Sequence, residues 1–103
     1  MREAKFSIGQ IVHHQLFDYR GVIIDVDYKF LGSEAWYQEV ARSRPPIDQP
    51  WYHVLVNDAV HQTYVAERNL ESREENEAIH HPLLDHYFKG MKDGCYQLKT
   101  RKN

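Results

Sequence analysis

Two carboxylates invite the first question about chemistry. Asp25 and Asp27 stand two apart in Val22-Ile23-Ile24-Asp25-Val26-Asp27-Tyr28, so a regular strand puts both on one face, where a pair of acids could share a proton. The sequence places no third group evidently beside them, and the pair reads as the solvent face and exit of a strand. His80, His81 and His86 gather around Asp85, with His81 and Asp85 at helical spacing. No CxxC or HExxH spacing accompanies them, so no metal set is complete. Cys95 is the single cysteine and lies between Gly94 and Tyr96, a poor position for a nucleophile that needs a fixed base. A glycine-rich phosphate loop is also missing. The expectation is a non-enzymatic chain with no metal and no other cofactor.

The aromatic residues are the stronger functional candidates. Tyr19, Tyr28, Trp51, Tyr52 and Tyr64 are aromatics with a polar edge near strand ends, and His14, Arg20 and His53 sit beside them. Part of such a set must build the core, a role assigned to Trp51 and Tyr64. The remainder, His14, Tyr19, Arg20, Tyr28, Tyr52 and His53, could form a shallow surface against a base, a methyl group or a partner peptide.

These residues need strands to hold them. Trp51-Tyr52-His53-Val54-Leu55-Val56 is aromatic and β-branched, with Pro50 before it and the turn pair Asn57-Asp58 after it. Alternation puts Trp51, His53 and Leu55 on one face and Tyr52, Val54 and Val56 on the other. Bulky groups on both faces mark a strand inside a sheet, with Ile23 and Leu55 expected to be buried. Val22–Tyr28 is a long bent strand entered through the turn Phe17–Gly21. Ile11–His14 precedes it after a kink at Gly9, and His61–Ala66 comes after the central strand.

Between the second and central strands, Ser33 can cap a helix that has Glu34 in its first turn and Trp36, Tyr37, Val40 and Ala41 on one side. That helix must end before Arg44-Pro45-Pro46. Ile79, Leu83, Leu84, Tyr87 and Phe88 recur at helix-like spacing near Pro82, which predicts a short C-terminal helix limited by Gly90 and Gly94. Short strands with one inserted and one terminal helix predict a mainly β chain: an SH3-like barrel of about five antiparallel strands.

At 103 residues the chain has the length of one modest core, and 42% hydrophobic with 27% charged residues is ordinary for a soluble protein. One cysteine, no signal-like start and no membrane-length apolar run give the expectation of a cytoplasmic protein. The net charge of −2 argues against a strongly basic nucleic-acid binder, although protonating all seven histidines would carry it to +5. Glutamates 67, 71, 74, 75 and 77 crowd one stretch. The C-terminal end, with Lys89, Lys92, Lys99, Arg101 and Lys102, reads as a frayed basic tail.

Five blocks then carry a resemblance. They are Phe6-x-Ile8-Gly9-Gln10-x-Val12-x-His14, Tyr19-Arg20-Gly21-Val22-Ile23, Asp27, Gln49-Pro50-Trp51-Tyr52-His53-Val54-Leu55-Val56 and Thr63-Tyr64-Val65-Ala66-Glu67-x-Asn69-Leu70. In this order they resemble the YccV-like, hemimethylated-DNA-binding domain family of the heat shock protein HspQ, from about Lys5 to Leu70. Ile79-His80-His81-Pro82 with Tyr87-Phe88 is similar to the segment C-terminal to this domain in certain F-box proteins. The resemblance implies an SH3-like barrel over residues 1–71, with a partly helical extension over 72–103. For function it implies binding to hemimethylated duplex DNA. As the alternative it implies a stress-related role that tunes degradation by an ATP-dependent protease such as Lon, through the protease or its substrates. No membrane partner is implied, and an oligomer is compatible with either role.

Overall fold

The computed structural model describes residues 3–41, 43–73 and 77–99. Strands β1 (Ile11–His14) and β2 (Arg20–Asp27) lead to helix α1 (Glu34–Val40), and β3 (Trp51–Val56) and β4 (Gln62–Ala66) come next. A 3₁₀ turn over Glu67–Asn69 then feeds the two-residue β5 (Leu70–Glu71). Helix α2 (Leu84–Tyr87) and strands β6 (Phe88–Lys92) and β7 (Cys95–Leu98) complete the chain.

The first five strands form one antiparallel sheet in the order β4-β3-β2-β1-β5, with β6 and β7 as a separate ribbon. β4 and β5 occupy opposite edges of the sheet, yet only Glu67–Asn69 separates them in sequence. Three residues span at most about 10 Å, so the sheet must curl until its edges approach. β5 offers only two residues and spends them on β1, pairing His13 with Glu71 and His14 with Leu70. The ladder therefore does not close, and the barrel expected from the sequence is instead a curled open sheet.

The expected alternation along β3 holds. Tyr52 and Val54 join Phe6, Val12, Ile23 and Val65 in one cluster, while Leu55 joins Ile11, Val22 and Ile24 in another. Ile23 and Leu55 are fully buried. β2 carries a bulge at Ile24, because Ile23 pairs with Val54 while Asp25 pairs with His53. The extra residue reverses the alternation beyond it. Val26 therefore stays on the Ile23 face, whereas Asp25 and Asp27 are carried to the face of His53 and Trp51.

Helix α1 begins where expected: the Ser33 Oγ accepts a hydrogen bond from the Trp36 N–H at 3.0 Å. Past its end, the Tyr37 hydroxyl donates to the Pro45 carbonyl and the Trp51 indole N–H to that of Pro46, tying the proline loop over β3.

The C-terminal part departs from expectation. The helix stops after four residues, and Phe88 to Leu98 form a hairpin instead. Asp93 and Gly94 both have positive φ (54° and 81°) between the paired Lys92 and Cys95, the geometry of a type I′ turn. An Asp-Gly step there selects strands over a continued helix. Lys89 and Lys92 consequently lie in β6 rather than in a frayed tail, while Arg101 and Lys102 fall outside the described residues. The segment also reaches the core. Ile79, Phe88 and Tyr96 pack against Ile11, Val22 and Leu55, and the buried Ile79 N–H donates to the Tyr96 hydroxyl at 2.8 Å. Gly9 permits that approach: a Cβ there would lie 2.1 Å from the Tyr96 carbonyl oxygen.

Candidate functional site

Among the described residues β4 pairs with one strand, β3, and all five of its residues line a groove of about 430 Å³. One wall comes from the β1–β2 turn, with Leu16, Phe17 and Tyr19, and the other from α1, with Trp36 and Val40. Phe17 is 70% exposed, and Leu16 and Val40 are each more than half exposed. Apolar side chains so exposed add nothing to the core, and their grouping along one groove makes it the candidate contact surface.

The turn that carries Phe17 is organised by His14. Its Nδ1 accepts the N–H groups of Leu16 and Phe17, each at 3.1 Å, and its ring lies between those of Phe17 and Tyr19. A nitrogen that accepts two backbone donors must stay unprotonated. Burial, with the charge of neighbouring His13 as a smaller cause, holds the His14 pKa below its usual value. The Tyr19 hydroxyl meets Thr63 Oγ1 at 2.7 Å, joining the turn to β4. His13, turned the other way, contacts Asp18 at 2.6 Å and Glu71 at 2.9 Å. Its hydrogen bond holds the Asp18 carboxyl below the ordinary carboxylate range.

At the far end of the groove an aromatic stack meets a polar chain. Tyr64 packs against Trp51, Phe30, Trp36 and the His53 ring, the last with centroids 4.6 Å apart. Its hydroxyl accepts the Leu31 N–H at 3.1 Å and donates to Asp27 Oδ2 at 2.7 Å. The same carboxylate oxygen lies 3.1 Å from His53 Nε2. Burial, together with the hydrogen bond to Asp27, drives the Tyr64 pKa well above its normal value, so this phenol is a fixed donor and no nucleophile.

The sequence candidates separate in space. His14, Tyr19 and His53 line the groove. Arg20 turns toward the C-terminal segment and donates to the carbonyls of Glu77 and Ala78. Tyr28, 59% exposed, borders a different depression beside Ala4, Ser7 and Asp25. Tyr52 is fully buried and bonded to Glu67, so its side chain is core. Trp51 is core as expected, whereas Tyr64, assigned to the core with it, is only half-buried; both also line the groove. Leu16, Phe17, Trp36 and Val40 were not among the candidates, although apolar residues flanking the Asp18 turn were a readable signal. His80, His81 and His86 do not converge: His80 faces Asp58, His81 faces the His61 carbonyl, and His86 packs on Tyr87.

A family model described as hemimethylated DNA-binding protein YccV like matches residues 4–95. The chain belongs to the YccV-like family. The matched region runs past Leu70, where the sequence blocks end, to the first residue of β7, and so takes in α2 and β6 of this YccV-like chain. Among the described residues no helix is long and apolar enough to cross a membrane.

Proposed function

We propose that this YccV-like chain is a non-enzymatic binding protein that engages hemimethylated duplex DNA through the groove beside β4. The observation that carries the reading is the family match over residues 4–95. The groove supports it chemically. A methyl group in the major groove is recognised by apolar contact, which Phe17, Leu16 and Val40 offer. Gln62 and Asn69, also on the groove, carry side-chain amides of the kind that pairs with an adenine edge. Of the sequence candidates, His14, Tyr19 and His53 would serve this surface, while Arg20 and Tyr28 lie away from it.

Phe17→Ser tests this directly, because Phe17 is exposed and can change without opening the core. It should weaken binding of a fluorescent hemimethylated duplex by about fivefold or more, as expected for a contact residue worth over 1 kcal/mol. The melting temperature should barely move. Unchanged affinity would remove the groove from the DNA interface.

One observation favours a second reading. The groove is chiefly apolar and borders an unpaired strand edge, surroundings that suit an extended peptide added to β4. In that reading the chain is a stress-related module that docks an ATP-dependent protease or its substrates. Such binding would tolerate salt, whereas a DNA complex weakens steeply as salt rises.

A further inference from the structure

We propose that Asp25, Asp27 and His53 form a binding site for a divalent first-row transition cation of the zinc or manganese class. The sequence offers only a pair of carboxylates, and a regular strand would hold them on the face opposite His53. The bulge at Ile24 brings them over, and the register then sets Asp25 directly opposite His53. One ligand atom from each of the three residues lies within 4.8 Å of the other two.

Three features suit these groups to a cation. The first is charge. Among the described residues no Lys or Arg lies within ion-pair distance of Asp25 or Asp27, and His53 is the one ion-pair partner of Asp27. Two adjacent carboxylates therefore face a single imidazole, and a divalent ion would balance the excess.

The second is orientation. The Tyr64 hydroxyl, itself fixed by the Leu31 N–H, donates to Asp27 Oδ2, and the Val26 N–H donates to Asp25 Oδ1 at 2.9 Å. Hydrogen bonds of this kind aim ligating carboxylates in known metal sites. The His53 ring is seated against Tyr64 with Nε2 toward Asp27. A cation would take the place of the proton between them, leaving His53 with its hydrogen on Nδ1.

The third is donor type. Two carboxylate oxygens and one imidazole nitrogen are a mixed set that zinc and manganese accept, leaving a coordination position for water or a ligand. Ligand atoms around tetrahedral zinc sit about 3.3 Å apart, given bonds of about 2.0 Å. Closing from 4.8 Å needs only a side-chain rotation, which the exposed Asp25 can make. The site adjoins the groove through His53, but a titration with the metal alone reads it whether DNA or a peptide occupies the groove.

The test is calorimetric titration of zinc and of manganese into the full chain at pH 7.5. Asp25→Asn is the main variant, since Asp25 is exposed and the change is isosteric. The double variant His80→Gln/His81→Gln controls for the other histidines. The wild type should bind one equivalent of at least one metal saturably, with a raised melting temperature. Asp25→Asn should weaken that binding about tenfold or more, and the double variant should leave it unchanged. No saturable binding, a smaller loss in Asp25→Asn, or loss in the double variant would each overturn the proposal.

Discussion

Tyr52→Phe removes one oxygen from the centre of the molecule, and its effect can be worked from the contacts of that atom. The hydroxyl donates to Glu67 Oε2 at 2.6 Å and accepts the Phe6 N–H at 3.2 Å. Tyr52 is 0% exposed, Phe6 7% and Glu67 9%, so water cannot easily replace what is lost. Glu67 keeps one donor, the Lys5 N–H at 2.8 Å. A hydrogen bond to a charged group contributes about 1.5–3 kcal/mol, and a stranded buried N–H costs about 1–3 kcal/mol. The two effects overlap in one small region, so a loss of about 3 kcal/mol is expected. For a chain of this size that lowers the melting temperature by roughly 12–24 °C. Burial, with the Glu67 contact next, also pushes the Tyr52 pKa well above its normal value, so the phenol remains the donor throughout the usual pH range. Thermal unfolding followed by circular dichroism measures the loss, and DNA titration well below the melting point separates structure from recognition. A variant melting within about 3 °C of wild type would refute the reasoning, and so would normal stability with lost DNA affinity.

The same core sets three other outcomes. Leu55→Ala opens a cavity between Val22 and Ile79 and should cost about 2–5 kcal/mol by urea denaturation. Ending the chain after Ser72 removes Ile79, Phe88 and Tyr96 from the cluster of Leu55, so we expect loss of the cooperative transition seen in the full chain. The His14 imidazole is kept neutral by the fold, with its pKa below the unfolded value of 6.5. The unfolded chain therefore takes up that proton first as pH falls, and stability drops below about pH 6.5. Melting temperatures at pH 7.5 and 5.5 should differ less in His14→Gln than in wild type.

The sheet was legible because its strands obey simple chemistry. Trp51–Val56 alternates between two apolar clusters, and Ser33 caps α1 through its own hydroxyl. The C-terminal hairpin was readable too, since Asp93-Gly94 is a turn signal that competes with the helical spacing of Leu84 and Tyr87. The bulge at Ile24 was not. A one-residue insertion leaves no mark in an apolar run, yet it decides which face Asp25 and Asp27 share. Groove and core roles were likewise mixed in the aromatic set. Tyr52 and Tyr64 are the same residue type one strand apart, but the register puts Tyr52 on the face of Val65 in the core and Tyr64 on the face of His53, toward the groove.

The central claim is recognition of hemimethylated DNA by this YccV-like chain. Fluorescence anisotropy should compare hemimethylated, fully methylated and unmethylated duplexes of one sequence at neutral pH and about 0.15 M salt. With a net charge of −2 the affinity will be modest, but the hemimethylated duplex should bind more tightly than the other two. Equal, weak binding to all three that disappears as salt rises would mean generic electrostatics, and it would contradict the claim.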